Sequence, residues 1–137
     1  MSLKFHEPPE SRPPIDVWRI YIFKGEEALR TKIFDTEPIN LLQSCYLIGK
    51  DERICDILCE NDTISRQHAV IQFRLITKML EDGTYEETIR PYVIDLESTN
   101  GTFLNNERIE AGRYTQLLHG DMLKFGMSQR EYIMVKD

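Results

Sequence analysis

Three short polar segments carry the residues whose types and spacing suit chemistry: Gly49-Lys50-Asp51-Glu52-Arg53, Ser65-Arg66-Gln67-His68 and Ser98-Thr99-Asn100-Gly101-Thr102, with Asn105 just beyond. Each adjoins an apolar run, which places it at a strand end where side chains are free to meet a ligand. Together they offer cations from Lys50, Arg53 and Arg66, hydroxyls from Ser65 and Thr99, and the amide of Asn100. That is an inventory for holding a phosphate, in which ionised donors supply strength and neutral donors supply orientation.

Two other chemistries compete for the same residues. Ser65, His68 and Asp95 or Asp121 are the types of a catalytic triad, which also needs a serine–histidine hydrogen bond and an oxyanion hole. Ser65 lacks the glycine elbow that exposes such a nucleophile, so no enzyme is expected and His68 reads as a structural residue. Cys45, Cys55 and Cys59 raise the question of zinc, but Cys55-x3-Cys59 has no second ligand pair, because His6, His68 and His119 are scattered. Reduced thiols, no metal and no cofactor are the expectation.

The elements that must position these loops read as strands. From Val17 onward, short β-branched and aromatic runs alternate with polar or glycine-containing turns about every ten residues, the rhythm of an all-β domain. The runs are 17–23, 30–34, 44–49, 57–58, 68–75, 89–96, 102–104, 108–109, 115–118, 122–125 and 131–135, about eleven strands in all. Only Glu26 to Leu29 has an ambiguous helical period. Val70, Gln72 and Arg74 alternate with Ile71, Phe73 and Leu75, which predicts one face in the core and the other in solvent. Asp82-Gly83 marks a turn, so that strand and the one starting at Ile89 form a hairpin with a long charged tip over Lys78 to Thr88. Trp18, Tyr21, Phe23, Phe73, Tyr92, Phe125 and Tyr132 fall at strand positions and read as packing residues.

Composition narrows the partners. The 137 residues carry 17 basic and 23 acidic side chains, a net charge of −6, which argues against wholesale binding to a nucleic-acid backbone. No aromatic cluster interleaved with basic residues marks an RNA platform. No apolar run is long enough to cross a bilayer, so a soluble, intracellular domain is expected, monomeric outside any complex. Four of the six prolines, Pro8, Pro9, Pro13 and Pro14, make residues 1–14 an extended arm, with the domain over 15–137.

The ordered set Gly49-Lys50, Ser65-Arg66-Gln67-His68, Ser98-Thr99-Asn100-Gly101-Thr102 and Asn105 resembles the motifs of the forkhead-associated (FHA) domain, over most of the chain from Val17 to Val135. Further likeness lies in Gln67 to Arg74, Arg90 to Leu96, Phe103 to Asn106 and Leu123 to Gly126, which are similar to FHA proteins of the spliceosomal retention and splicing (RES) complex. The resemblance implies an FHA-type β-sandwich of two twisted, mostly antiparallel sheets whose apical loops bind phosphothreonine peptides. It also implies a nuclear splicing factor whose partners are a phosphothreonine protein and RES subunits.

Carried over by position, the resemblance gives Ser65 a hydroxyl contact to phosphate and Arg66 a contact to phosphate or peptide backbone. Asn100 would hold the ligand main chain, Thr99 would contact phosphate or shape the pocket for the threonine methyl, and Asn105 would support the loop or touch the peptide. His68 would join the loops, and Gly49 and Gly101 would allow turns that a Cβ hinders. One position departs: the family's arginine after the glycine is Lys50 here, which keeps charge but loses the planar fork. Arg53 is expected to compensate. The departure leaves a second reading open, a phosphate-independent scaffold that uses the fold structurally.

Overall fold

The computed structural model describes residues 3–26, 31–34 and 37–137, and among them twelve strands and no helix. The strands are β1 (Trp18–Glu26), β2 (Thr31–Phe34), β3 (Ile39–Leu41), β4 (Cys45–Gly49), β5 (Ile57–Leu58), β6 (Ala69–Met79), β7 (Tyr85–Asp95), β8 (Thr102–Leu104), β9 (Glu107–Arg108), β10 (Thr115–Gln116), β11 (Met122–Phe125) and β12 (Arg130–Lys136). One sheet runs β2-β1-β12-β11-β8-β9 with β3 also paired to β1; the other runs β10-β7-β6-β4-β5. All described pairings are antiparallel except β4 with β5. The expected β-sandwich is therefore present, with β3 the strand that sequence patterning missed: three residues with Asn40 at the centre carry almost no period. The helical reading over Glu26 to Leu29 falls outside the described residues beyond Glu26, which ends β1.

Period-two patterning builds the core. Trp18, Ile20 and Ile22 from β1, Leu123 and Phe125 from β11, and Tyr132 and Met134 from β12 meet Tyr46, Ile48, Ile71, Phe73 and Val93 from the facing sheet, all buried. Side chains from both inner faces interdigitate to make a single apolar layer. Because the strand ends are anchored in this layer, the loops between them inherit fixed positions.

Two expectations about β6 need correction. Its second face does not meet solvent: Val70 and Gln72 are both buried. Val70 packs with Leu47 and Ile94 in a second apolar cluster that Phe5 and Tyr114 help to cover. The side-chain amide of Gln72 finds partners there too, its Nε2 donating to Ser11 Oγ at 2.9 Å and to the Ser44 carbonyl at 3.1 Å. Where pairing with β4 has ended, residues 10–12 take its place beside β6 through an antiparallel Ser11–Arg74 bridge, with Arg12 N donating to the Phe73 carbonyl and Leu75 N to the Glu10 carbonyl, while Phe5 lies over the outer face. Period-two alternation reports which face points inward but not whether a distant segment covers the other.

The hairpin tip is also shorter than expected. β6 and β7 stay paired as far as Met79 opposite Tyr85, leaving only residues 80–84 to turn. Lys78 faces Glu86 and the exposed Met79 faces Tyr85, and cross-strand pairs of these kinds sustain a strand ribbon outside the core. At the tip Asp82 Oδ1 accepts from Thr84 N and Thr84 Oγ1, as the Asp-Gly signal implied.

Truncation should separate the two regions. Phe73→Ala in the core is expected to cost about 3–5 kcal/mol in urea denaturation, whereas Tyr85→Ala at the exposed hairpin end should stay within about 0.5 kcal/mol of the parent chain.

Candidate functional site

The first two loops are joined before any ligand arrives. Lys50 N donates to the Ser65 carbonyl and Asp51 N to the Arg66 carbonyl, both at 3.2 Å. Gly49 permits this approach: a Cβ there would lie 2.1 Å from the Arg66 carbonyl oxygen, so any side chain would force the strands of the site apart. Glycine is needed at 49 for close approach, and not for the turn that the sequence suggested.

His68 then ties the second loop to the third. Its Nδ1 accepts from Ser65 N at 3.1 Å, and its Nε2 lies 2.8 Å from the Gly101 carbonyl, so Nε2 carries the proton and donates. The ring is fully buried and meets Phe125 edge-on. Burial pushes the His68 pKa down, against the smaller opposing pull of the Gly101 hydrogen bond and of Asp95. This arrangement leaves the triad geometry unformed, because the histidine receives the backbone amide of Ser65 and its other nitrogen is given to a carbonyl.

Asp95, at the end of β7, builds the third loop. Its Oδ1 accepts from Ser98 Oγ at 2.7 Å and Thr102 Oγ1 at 2.6 Å, and its Oδ2 accepts from Ser98 N at 3.0 Å. Ser98 Oγ in turn accepts from Gly101 N at 2.9 Å. Gly101 sits at φ 88°, left-handed backbone that a Cβ disfavours, and an added Cβ would also press on the Arg108 guanidinium. Sequence reading weighed Asp95 only as a triad member. The signal available was its spacing, an aspartate three residues before Ser98 in a turn-rich stretch.

These three loops enclose a cleft of about 500 Å³ lined by Lys50, Ser65, Arg66, Thr99 and Asn100, together with Lys4, Asp62, Thr63, Ile64 and Gln67. Ser65 Oγ accepts from Thr99 N at 3.3 Å, which leaves its own hydroxyl proton for an acceptor in the cleft. Asn100 Nδ2 donates to the Thr63 carbonyl at 2.8 Å, which holds its amide oxygen in a set direction. Neither Lys50 nor Arg66 takes part in an ion pair among the described residues. Two predicted residues lie elsewhere. Arg53 is spread over the buried Asp51 of its own loop, with Nε 3.2 Å from Oδ1 and Nη2 3.3 Å from Oδ2. That guanidinium holds the Asp51 carboxyl below the usual carboxylate range. Asn105, at φ 49°, donates to Asp121 Oδ1 and accepts from Met122 N, and so braces a loop without lining the cleft.

The thiols have no part in the cleft. Cys59 Sγ lies 3.0 Å from Tyr132 OH, Cys55 Sγ donates to the Arg66 carbonyl, and burial pushes Cys45 and Cys55 up to about 12 and about 11.

A two-sheet sandwich with a cationic, amide-lined cleft between its apical loops is the architecture of an FHA-type module, and a family model for the FHA domain matches residues 46–126. The chain belongs to the FHA family. It is 46% identical over 98% of its length to Smad nuclear-interacting protein 1 of Mus musculus, of which it covers 34%. It is 39% identical over 59% of its length to Pre-mRNA leakage protein 1 of Saccharomyces cerevisiae, covering 42% of that protein. Among solved structures, the yeast Pml1 splicing factor, described in its integration into the RES complex, superposes with a TM-score of 0.78 at 28% identity over 99% of both chains. The chain thus spans about a third of the length of its mammalian relative.

The buried neutral histidine makes stability pH-dependent. With the folded pKa below the ordinary value of about 6.5, the unfolded chain binds the extra proton first, so stability is complete above about pH 6.5 and declines as pH falls from there towards the folded pKa. Melting temperatures recorded between pH 7.5 and 5.5 should fall accordingly, and the His68 ring carbon shift in an NMR titration should remain that of the neutral imidazole at the pH where a reference peptide histidine is half protonated.

Proposed function

We propose that this chain is a phosphothreonine-peptide reader belonging to a nuclear pre-mRNA splicing factor. The observation that carries the reading is the convergence of Lys50, Ser65, Arg66, Thr99 and Asn100 on one cleft, with both cations outside any ion pair among the described residues. A phosphothreonine carries a charge of about −1.5 to −2 at neutral pH and three acceptor oxygens. Lys50 and Arg66 offset that charge, the Ser65 hydroxyl donates to one oxygen, and Asn100 takes the peptide main chain beside it. Thr99 stands next to Ser65, where its side chain forms part of the wall that accepts the threonine methyl.

Binding, and not catalysis, fits these residues, since the histidine that would be the base is spent between two backbone groups. The assignment to splicing, to the nucleus and to a RES-type assembly draws on the relatives, one named for pre-mRNA leakage and one for nuclear interaction. The partners are then a phosphothreonine protein and subunits of such an assembly.

Lys50 decides between reader and scaffold. As a point charge it holds phosphate with less directional selectivity than an arginine fork. Titration with a degenerate phosphothreonine peptide library, beside phosphoserine and unphosphorylated libraries, tests the reading. Selective binding is expected, weakened about tenfold to a hundredfold by Lys50→Ala, as loss of a hydrogen bond to a charged group implies, and retained or improved by Lys50→Arg. A Ser65→Ala, Asn100→Ala double variant should lose it. Equal binding of all three libraries by the parent chain would leave the scaffold reading in place.

A further inference from the structure

We propose that the N-terminal arm is a working part of the phosphopeptide cleft, and that Lys4 is a ligand-binding cation which takes the place the sequence assigned to Arg53. The inference rests on the phosphothreonine reading of the cleft and adds to it a residue far outside the 46–126 match.

The charge balance of the cleft motivates it. Arg53 is held by Asp51, so Lys50 and Arg66 would face a nearly dianionic phosphate with Asp62 also in the wall. The remaining cation in that wall is Lys4. Its backbone N donates to Gln67 Oε1 at 2.7 Å, and Gln67 is buried between Arg66 and His68 in the middle of the binding loop. The loop therefore grips the arm at the residue whose side chain supplies charge.

The arm arrives there already ordered. Phe5 packs on the cluster of Leu47, Val70 and Ile94, covering apolar surface on the outer face of β6. Glu7 Oε1 accepts from Ser11 Oγ and Ser44 Oγ, both at 2.6 Å. Glu10 Oε2 receives Arg74 Nη2 at 2.6 Å, and the Arg74 guanidinium lies over the rings of Tyr92 and Tyr114 at 4.8 and 4.3 Å. With fixings at Phe5, Glu7, Glu10, Ser11 and Arg12, most of the entropy of placing Lys4 is lost on folding and not on binding, which favours the complex. The functional unit accordingly begins at or before Lys4, and not at Ile15.

The test is a fluorescence-anisotropy titration of the full chain with a degenerate phosphothreonine peptide pool and its unphosphorylated counterpart, at low and at physiological salt. Lys4→Ala should weaken phosphopeptide binding by about threefold to tenfold, the range for one exposed charge pair beside phosphate, and should flatten the salt dependence. Lys4→Glu should weaken it further. Phe5→Ala, which frees the arm while keeping the lysine, should reproduce the Lys4→Ala loss, and combining the two should add little. If the parent chain prefers the phosphorylated pool but Lys4→Ala and Lys4→Glu bind as it does, the role of Lys4 is refuted and the phosphothreonine reading stands. Parent binding that ignores phosphorylation refutes both. A Lys4→Ala loss without a Phe5→Ala loss refutes the anchoring of the arm.

Discussion

The cleft depends on one buried imidazole. His68 connects the amide of Ser65 to the carbonyl of Gly101, and these two backbone groups belong to the loops that present the serine and the asparagine. A neutral ring can accept at one nitrogen and donate at the other, which a lysine or a carboxylate cannot do. Burial keeps the ring neutral by penalising its charged form, so the environment that excludes water from the joint also maintains the tautomer that makes it. Phe125 and Tyr132 stack edge to face behind the ring, linking the joint to the main core.

Around that joint the loops are built by polar groups satisfying one another. Asp95 collects two hydroxyls and an amide, and Ser98 passes the network on to Gly101. Such a network rigidifies only when its members are all partnered, and here each hydrogen bond serves to hold a turn whose exposed residues then face the cleft. The division of labour is clear at Ser98-Thr99-Asn100: Ser98 is buried and structural, while Thr99 and Asn100 line the cleft. Preorganisation of this kind spares any ligand the cost of ordering the donors that meet it.

The outer face of the five-stranded sheet extends the same logic beyond the family's matched region. Val70 and Gln72, which a simple sandwich would leave to solvent, are covered by the N-terminal arm, and Lys4 of that arm is held at Gln67 in the second apical loop. Its proline-rich composition suits that task. Fixed φ angles lower the entropy of an extended chain before it docks, and Glu7, Glu10 and Ser11 supply the side-chain bonds to the sheet.

Period-two runs and turn residues determined the all-β class and eleven of the strands, because alternation and glycine or Asp-Gly signals act locally and are written in neighbouring residues. The three polar segments were legible for the same reason, as residue types that build anion sites and not strands. Tertiary structure decided which of those residues meet. Arg53 and Asn105 carried suitable donors yet turned to Asp51 and Asp121, since a local partner at hydrogen-bond distance wins over a distant cleft. Lys4 and Gln67 came together across sixty-three positions of sequence, and the outer face of β6 was covered by Phe5 from a segment whose composition gave only its extended form. Contacts of that separation depend on how two sheets stack and where a strap crosses them, which no local pattern encodes.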